Sequence, residues 1–119
     1  MMTLADKQLL QQNAKRASRL LKALSNEHRL MVLCQLADGE KSVSEIERLV
    51  GLSQSALSQH LARLRRDELV RTRRQAQAIF YSLNGDAAAR VIGVLHQIYC
   101  DSPPARAATA EPAVAAARG

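Results

Sequence analysis

Apolar residues recur every three or four positions from Leu4 to Leu24, at Leu9, Leu10, Ala14, Ala17, Leu20, Leu21 and Leu24, with Lys and Arg between them. That spacing matches the turn of a helix and predicts one long amphipathic helix with a basic outer side. Ser25 or Asn26 is placed to cap a second helix, which runs to Ala37 and ends at Asp38-Gly39. A third, from Ser44 to Gly51, turns Ile46, Leu49 and Val50 to one side. Its capping box is either Ser44 with Glu47 or Ser42 with Glu45. Gly51 suits the left-handed residue that ends a helix, and Ser53 is an N-cap for the next, whose Leu57, Leu61 and Leu64 form a narrow seam. The period then changes to two. Val70 and Thr72 alternate with Arg71 and Arg73, and Ile79, Tyr81 and Leu83 with Phe80 and Ser82, which predicts two strands around a polar turn near Arg74 to Gln77. Asn84 is the expected cap of a last helix, Asp86 to Cys100, with Val91, Ile92, Val94, Leu95, Ile98 and Tyr99 apolar. The order is α-α-α-α-β-β-α, a mainly α fold with a small β-hairpin.

The fourth helix has an unusual polar side. Gln54, Ser55, Ser58, Gln59, His60 and Arg63 cover it, and no acidic residue occurs before Asp67. Short hydroxyl and amide side chains suit hydrogen bonds to base edges and phosphates, whereas an ordinary surface helix more often carries Glu and Lys pairs. Preceded by a short helix and a glycine turn, it reads as the second helix of a helix-turn-helix. Any helical hairpin produces part of this pattern, so the segment after it matters. From Arg63 to Arg74 there are six arginines against two acids, on a hairpin placed where a wing reaches the phosphate backbone. Arg74 and Gln77 are its candidate contacts.

Composition narrows the partners. The chain has 119 residues, with 17 Lys and Arg against 11 Asp and Glu, a formal charge of +6 that suits a polyanion. Phe80, Tyr81 and Tyr99 are its only aromatics, too few for single-strand binding by base stacking. No stretch approaches the ~20 apolar residues of a membrane span, and the N-terminus has no signal-peptide core, so a cytoplasmic protein is expected. Paired carboxylates, a glycine-rich phosphate loop and a catalytic triad are all lacking, which speaks against an enzyme and calls for no cofactor. Residues 101–119 hold all three prolines and eight alanines. They read as a disordered tail after a single domain, 1–100. The first and last helices carry more apolar surface than a small domain covers. They predict a homodimer, or else they complete the monomer core.

At this point the chain resembles the ArsR/SmtB repressors. The resemblance rests on Leu24-Ser-Asn-Glu-His-Arg-Leu30, on Gly51-Leu-Ser-Gln-Ser-Ala-Leu-Ser-Gln-His-Leu61, on Arg65-Arg-Asp-Glu-Leu-Val70 and on Ile79-Phe-Tyr-Ser-Leu83. It covers about Leu4 to Cys100. It implies a winged helix-turn-helix homodimer, joined through its first and last helices, that binds pseudo-palindromic double-stranded operator DNA and releases it on meeting an inducer.

Many members of that family sense metals, but the residues for this are missing here. The helix from Ser44 to Val50 has no Cys, and the last helix has Asp86 and His96 without further ligands at tetrahedral spacing, so no metal site is assigned. His28, His60 and His96 fall on three different helices. Cys34 and Cys100 remain. By composition alone they read as small buried hydrophobes. Their positions, in the second helix and at the end of the last, are similar to the BigR, SqrR and HlyU branch, which implies paired thiols responding to reactive sulfur species or an oxidant. The alternatives are a metal-responsive repressor of the same fold and a winged-helix dimer with no thiol switch.

Overall fold

The computed structural model describes residues 1–100, and the proposed tail lies outside the described residues. The elements run α1 (Leu4–Gln12), α2 (Ala14–Leu24), α3 (Glu27–Ala37), β1 (Lys41–Ser42), α4 (Val43–Val50), α5 (Gln54–Arg66), β2 (Val70–Gln75), β3 (Ala78–Leu83) and α6 (Ala87–Tyr99). The long first helix expected over Leu4 to Leu24 is divided at Asn13, where φ is −105° and ψ 13°. The Asn13 amide donates to the Leu9 carbonyl, a local bond that competes with regular helix. Among the described residues no helix is long and apolar enough to cross a membrane.

Caps settle the ambiguous boundaries. Asn26, not Ser25, caps α3 by accepting from the His28 and Arg29 amides. Ser42 and Glu45 form the capping box of α4, so that helix begins ahead of Ser44. Glu45 is held below the usual carboxylate range, first by its hydrogen bond from the Ser42 backbone. Gly51 ends α4 at φ 77°. Asn84 does not cap the last helix: its amide donates to the Glu68 carbonyl, and Asp86 takes the N-cap position without a side-chain bond.

One apolar core joins these elements. Ala23 and Leu24 of α2, Val32, Leu33 and Leu36 of α3, Ile46 of α4, Leu57, Leu61 and Leu64 of α5, Val70 of β2 and Tyr81 of β3 meet in it. Each large aliphatic side chain fully buried there contributes roughly 1.5–3 kcal/mol. The leucine seam of α5 is therefore fixed against α3 and the sheet, which leaves the opposite side of α5 to solvent.

The sheet has three strands in the order β1-β3-β2, all antiparallel. β1 was not expected, because two residues are too short to show a period. Lys41 and Ser42 pair with Tyr81 and Phe80. β2 and β3 pair from Val70 with Leu83 to Gln75 with Ala78, so Arg74 lies within β2 and only Ala76 and Gln77 make the turn. A positive φ of 56° at Ala76 is what a tight two-residue hairpin needs at its first loop position.

Candidate functional site

The exposed side of α5 and the wing define the site. The Ser53 hydroxyl accepts from the Ala56 amide, which starts α5 squarely after the turn. With Leu57, Leu61 and Leu64 inward, helical geometry turns Ser55, Gln59 and Arg66 outward, with Gln54, Ser58 and Arg65 on one flank, and all six are exposed. Arg65 and Arg66 were not among the expected contacts, although their spacing from Gln54 and Ser55 placed them on the same side. Arg74 and Gln77 are exposed near the wing tip.

His60 and Arg63 lie on the other flank, toward α3 and α2. The His60 and His28 rings stand 5.8 Å apart at 36°, so two of the three histidines do meet. Burial pulls the His60 pKa down, and the charges of Arg29 and His28 pull it further. Arg63 Nε donates to Asp67 at 3.1 Å, a pair that holds Arg63 along its own helix. Arg29 reaches back across the same junction, donating to the Lys22 and Ala23 carbonyls at the end of α2.

Not all the arginines of the basic run are unpaired. Arg73 grips Glu40 with two hydrogen bonds, of 2.7 and 3.0 Å, and lies 4.7 Å above the Phe80 ring. The pair ties the wing to the loop ahead of β1 and draws Glu40 below the usual carboxylate range. Among the described residues Arg63 and Arg73 are the only arginines in ion pairs. Arg65, Arg66, Arg71 and Arg74 remain as exposed cations.

The two thiols sit at a junction of α3 and α6. Cys34 is half-buried and Cys100 is exposed, and the two are not bonded. Burial pushes the Cys34 thiol up, and negative charge on Cys100 and then Asp38 adds to the effect. The influence of Cys100 on Cys34 makes them electrostatic neighbours, although 66 positions separate them in sequence. No group of three or more His, Cys, Asp or Glu side chains among the described residues is placed to hold a metal ion.

Apolar side chains stay uncovered on α1, α2 and α6. Leu9, Leu10, Leu21, Val94 and Ile98 are about half exposed, and Tyr99 is 75% exposed.

Comparison with known proteins agrees with this architecture. Residues 26–72 match the family described as bacterial regulatory protein, arsR family. The transcriptional activator HlyU of Vibrio cholerae is 50% identical over 95 residues, covering 80% of this chain and 88% of HlyU. The biofilm growth-associated repressor of Xylella fastidiosa is 42% identical over 91 residues, covering 76% of this chain and 80% of that protein. Among solved structures, the repressor BigR from Xylella fastidiosa superposes with a TM-score of 0.76 at 40% identity, covering 83% of this chain and 98% of BigR. Reduced HlyU from Vibrio cholerae superposes with a TM-score of 0.72 at 52% identity, covering 78% and 98%. With a helix-turn-helix, a wing and this likeness along most of its length, the chain belongs to the ArsR family of winged helix-turn-helix transcriptional regulators.

Proposed function

We propose that this protein is a homodimeric transcriptional repressor that releases operator DNA when Cys34 and Cys100 become linked. The supporting observation is the packing of α3, which carries half-buried Cys34, against α6, which ends at exposed Cys100. Because α3 also packs against α5, strain at that junction is transmitted to the DNA-reading helix. Gln54, Ser55, Ser58, Gln59, His60 and Arg63 are the proposed α5 contacts, and Arg74 and Gln77 those of the wing. The outward-facing Ser55 and Gln59 are best placed for base edges.

The thiols differ in role. Cys100 is open to solvent and attacks first. Its thiolate attacks a hydrogen disulfide, whose S–S bond breaks to release hydrosulfide and leave a Cys100 persulfide; a longer polysulfide releases the correspondingly shortened hydropolysulfide instead. Cys34, kept protonated by burial, then loses its proton and attacks the Cys100 sulfur, expelling a second hydrosulfide and closing a disulfide. Two thiols lose two electrons, and one hydrogen disulfide becomes two hydrogen sulfides. A direct bond needs Cα atoms within about 7 Å, a limit that retained sulfur relaxes.

A hundredfold loss of operator affinity requires only about 2.7 kcal/mol. Two recognition helices must meet half-sites about 34 Å apart, so a small tilt at the dimer interface is enough. The test is binding to a pseudo-palindromic duplex from the gene's own upstream region, before and after polysulfide, with intact mass recorded. Cys34→Ser and Cys100→Ser are expected to bind like the reduced protein and to ignore polysulfide. A single variant retaining the full response overturns the dithiol switch. Since HlyU is named an activator and BigR a repressor, a reporter assay fixes the sign: deletion of the gene should raise target expression.

A further inference from the structure

We infer that a basic recess between α2 and α5 is a second phosphate-contact surface, which seats operator backbone beyond the base pairs read by α5. The inference rests on the DNA-binding reading above and extends it to a helix outside the helix-turn-helix and wing.

The recess has a volume of about 300 Å³ and is lined by Lys15, Ser18, Arg19 and Lys22 of α2 and by Arg63 and Asp67 at the end of α5. The α2 residues recur at three- and four-residue steps, so they form one continuous strip along the helix. Four cations thus face a single acid, and that acid is already engaged by Arg63 Nε. Among the described residues none of Lys15, Arg19 and Lys22 pairs with a carboxylate. Arg29 adds a fifth positive charge at the same junction, and burial together with the charge of Arg63 pulls its pKa down.

A solvated helix face is the ordinary reason for surface lysines, but such faces usually mix signs. Here no acid occurs between Asp6 and Glu27. The excess charge is gathered around a concavity instead of being spread, which raises the local potential for an anion. Arg63 makes the recess continuous with α5, so a duplex against the outer side of that helix is adjacent to it. Lys15 to Lys22 spans about 10 Å of helix, against one phosphate per ~3.4 Å of strand, enough for two or three phosphates.

The test compares full-length wild type with the triple variant Lys15→Gln/Arg19→Gln/Lys22→Gln, all at exposed positions. Affinity is measured against salt on two duplexes, one ending at the outer edges of the half-sites and one longer by about one helical turn at each end. Wild type is expected to show a steeper salt dependence on the longer duplex, by about two units per protomer, at about 0.9 per phosphate. The triple variant should lose that difference while binding the short duplex normally. Wild type binding the short duplex with no length dependence overturns this inference and leaves the DNA-binding reading standing. Binding neither duplex overturns both. An equal loss of slope on both duplexes reduces the strip to a general field and also overturns it. Thermal stabilisation of wild type, but not of the variant, by inorganic tripolyphosphate without length dependence would assign the recess to a free anion instead.

Discussion

Glu68 and Ala76 hold left-handed backbone angles, with φ of 63° and 56°. Glu68 has a clear structural reason. Its amide donates to the Arg65 carbonyl and the Leu69 amide to the Leu64 carbonyl, the paired bonds that close a helix with a Schellman turn. The left-handed residue at such a turn is usually Gly, since any Cβ crowds the following carbonyl. Glu68→Gly should therefore raise stability by about 0.5–1 kcal/mol, the relief of strain less the added chain entropy. Urea unfolding measures it, and a loss would show that the Glu68 side chain contributes more than its strain costs. His60 makes a pH prediction. Its pKa is lowered in the fold, while an unfolded His titrates near 6.5. The unfolded chain therefore binds more protons as pH drops below ~6.5, so the contribution is complete above that value and is lost toward the folded pKa. Wild-type unfolding free energy should fall as pH drops below about 6.5, and His60→Gln should flatten that slope. An unaltered slope would remove His60 as its source.

At the scale of elements, the proposed DNA contacts are divided between α5 and the wing. Gln59→Ala should change preference at one base pair by roughly 1–3 kcal/mol if its exposed amide reads a base edge as proposed. Equal losses on all sequences would make Gln59 a backbone contact. Arg74→Ala should weaken binding evenly and reduce the salt slope by about one unit. Arg73→Ala should leave the slope near that of wild type, because Glu40 already holds its guanidinium. A full-unit drop for Arg73→Ala would add it to the phosphate contacts. The alternating residues of β2 and β3 made the wing legible in sequence, as the leucine seam did α5. The Arg73 pairing was not legible, since its partner lies 33 residues away in a loop with no pattern of its own.

For the whole molecule, the uncovered apolar sides of α1, α2 and α6 are the main feature. Nothing among the described residues covers them, and a two-fold partner presenting the same surface would do so without new sequence. Ile98→Asp should shift the protein from dimer to monomer in sedimentation velocity and abolish binding to paired half-sites. Association unaffected by Ile98→Asp would place the interface elsewhere. The same arrangement puts the two thiols next to the proposed interface, since Cys100 follows directly on Tyr99.

The sequence by itself determined the kinds of element, most of their boundaries and the exposed chemistry of α5, because period, caps and turn residues act within a few positions. Only tertiary structure decided what each element meets. The break at Asn13, the strand β1, the contact of His28 with His60, the grip of Glu40 on Arg73 and the neighbourhood of Cys34 and Cys100 belong to this second group. A helix's own period states which side is buried but not against what. That choice is made when Leu33, Ile46, Leu57 and Leu64 are buried together in one core, and the polar side chains at its margin find the partners that packing leaves within reach.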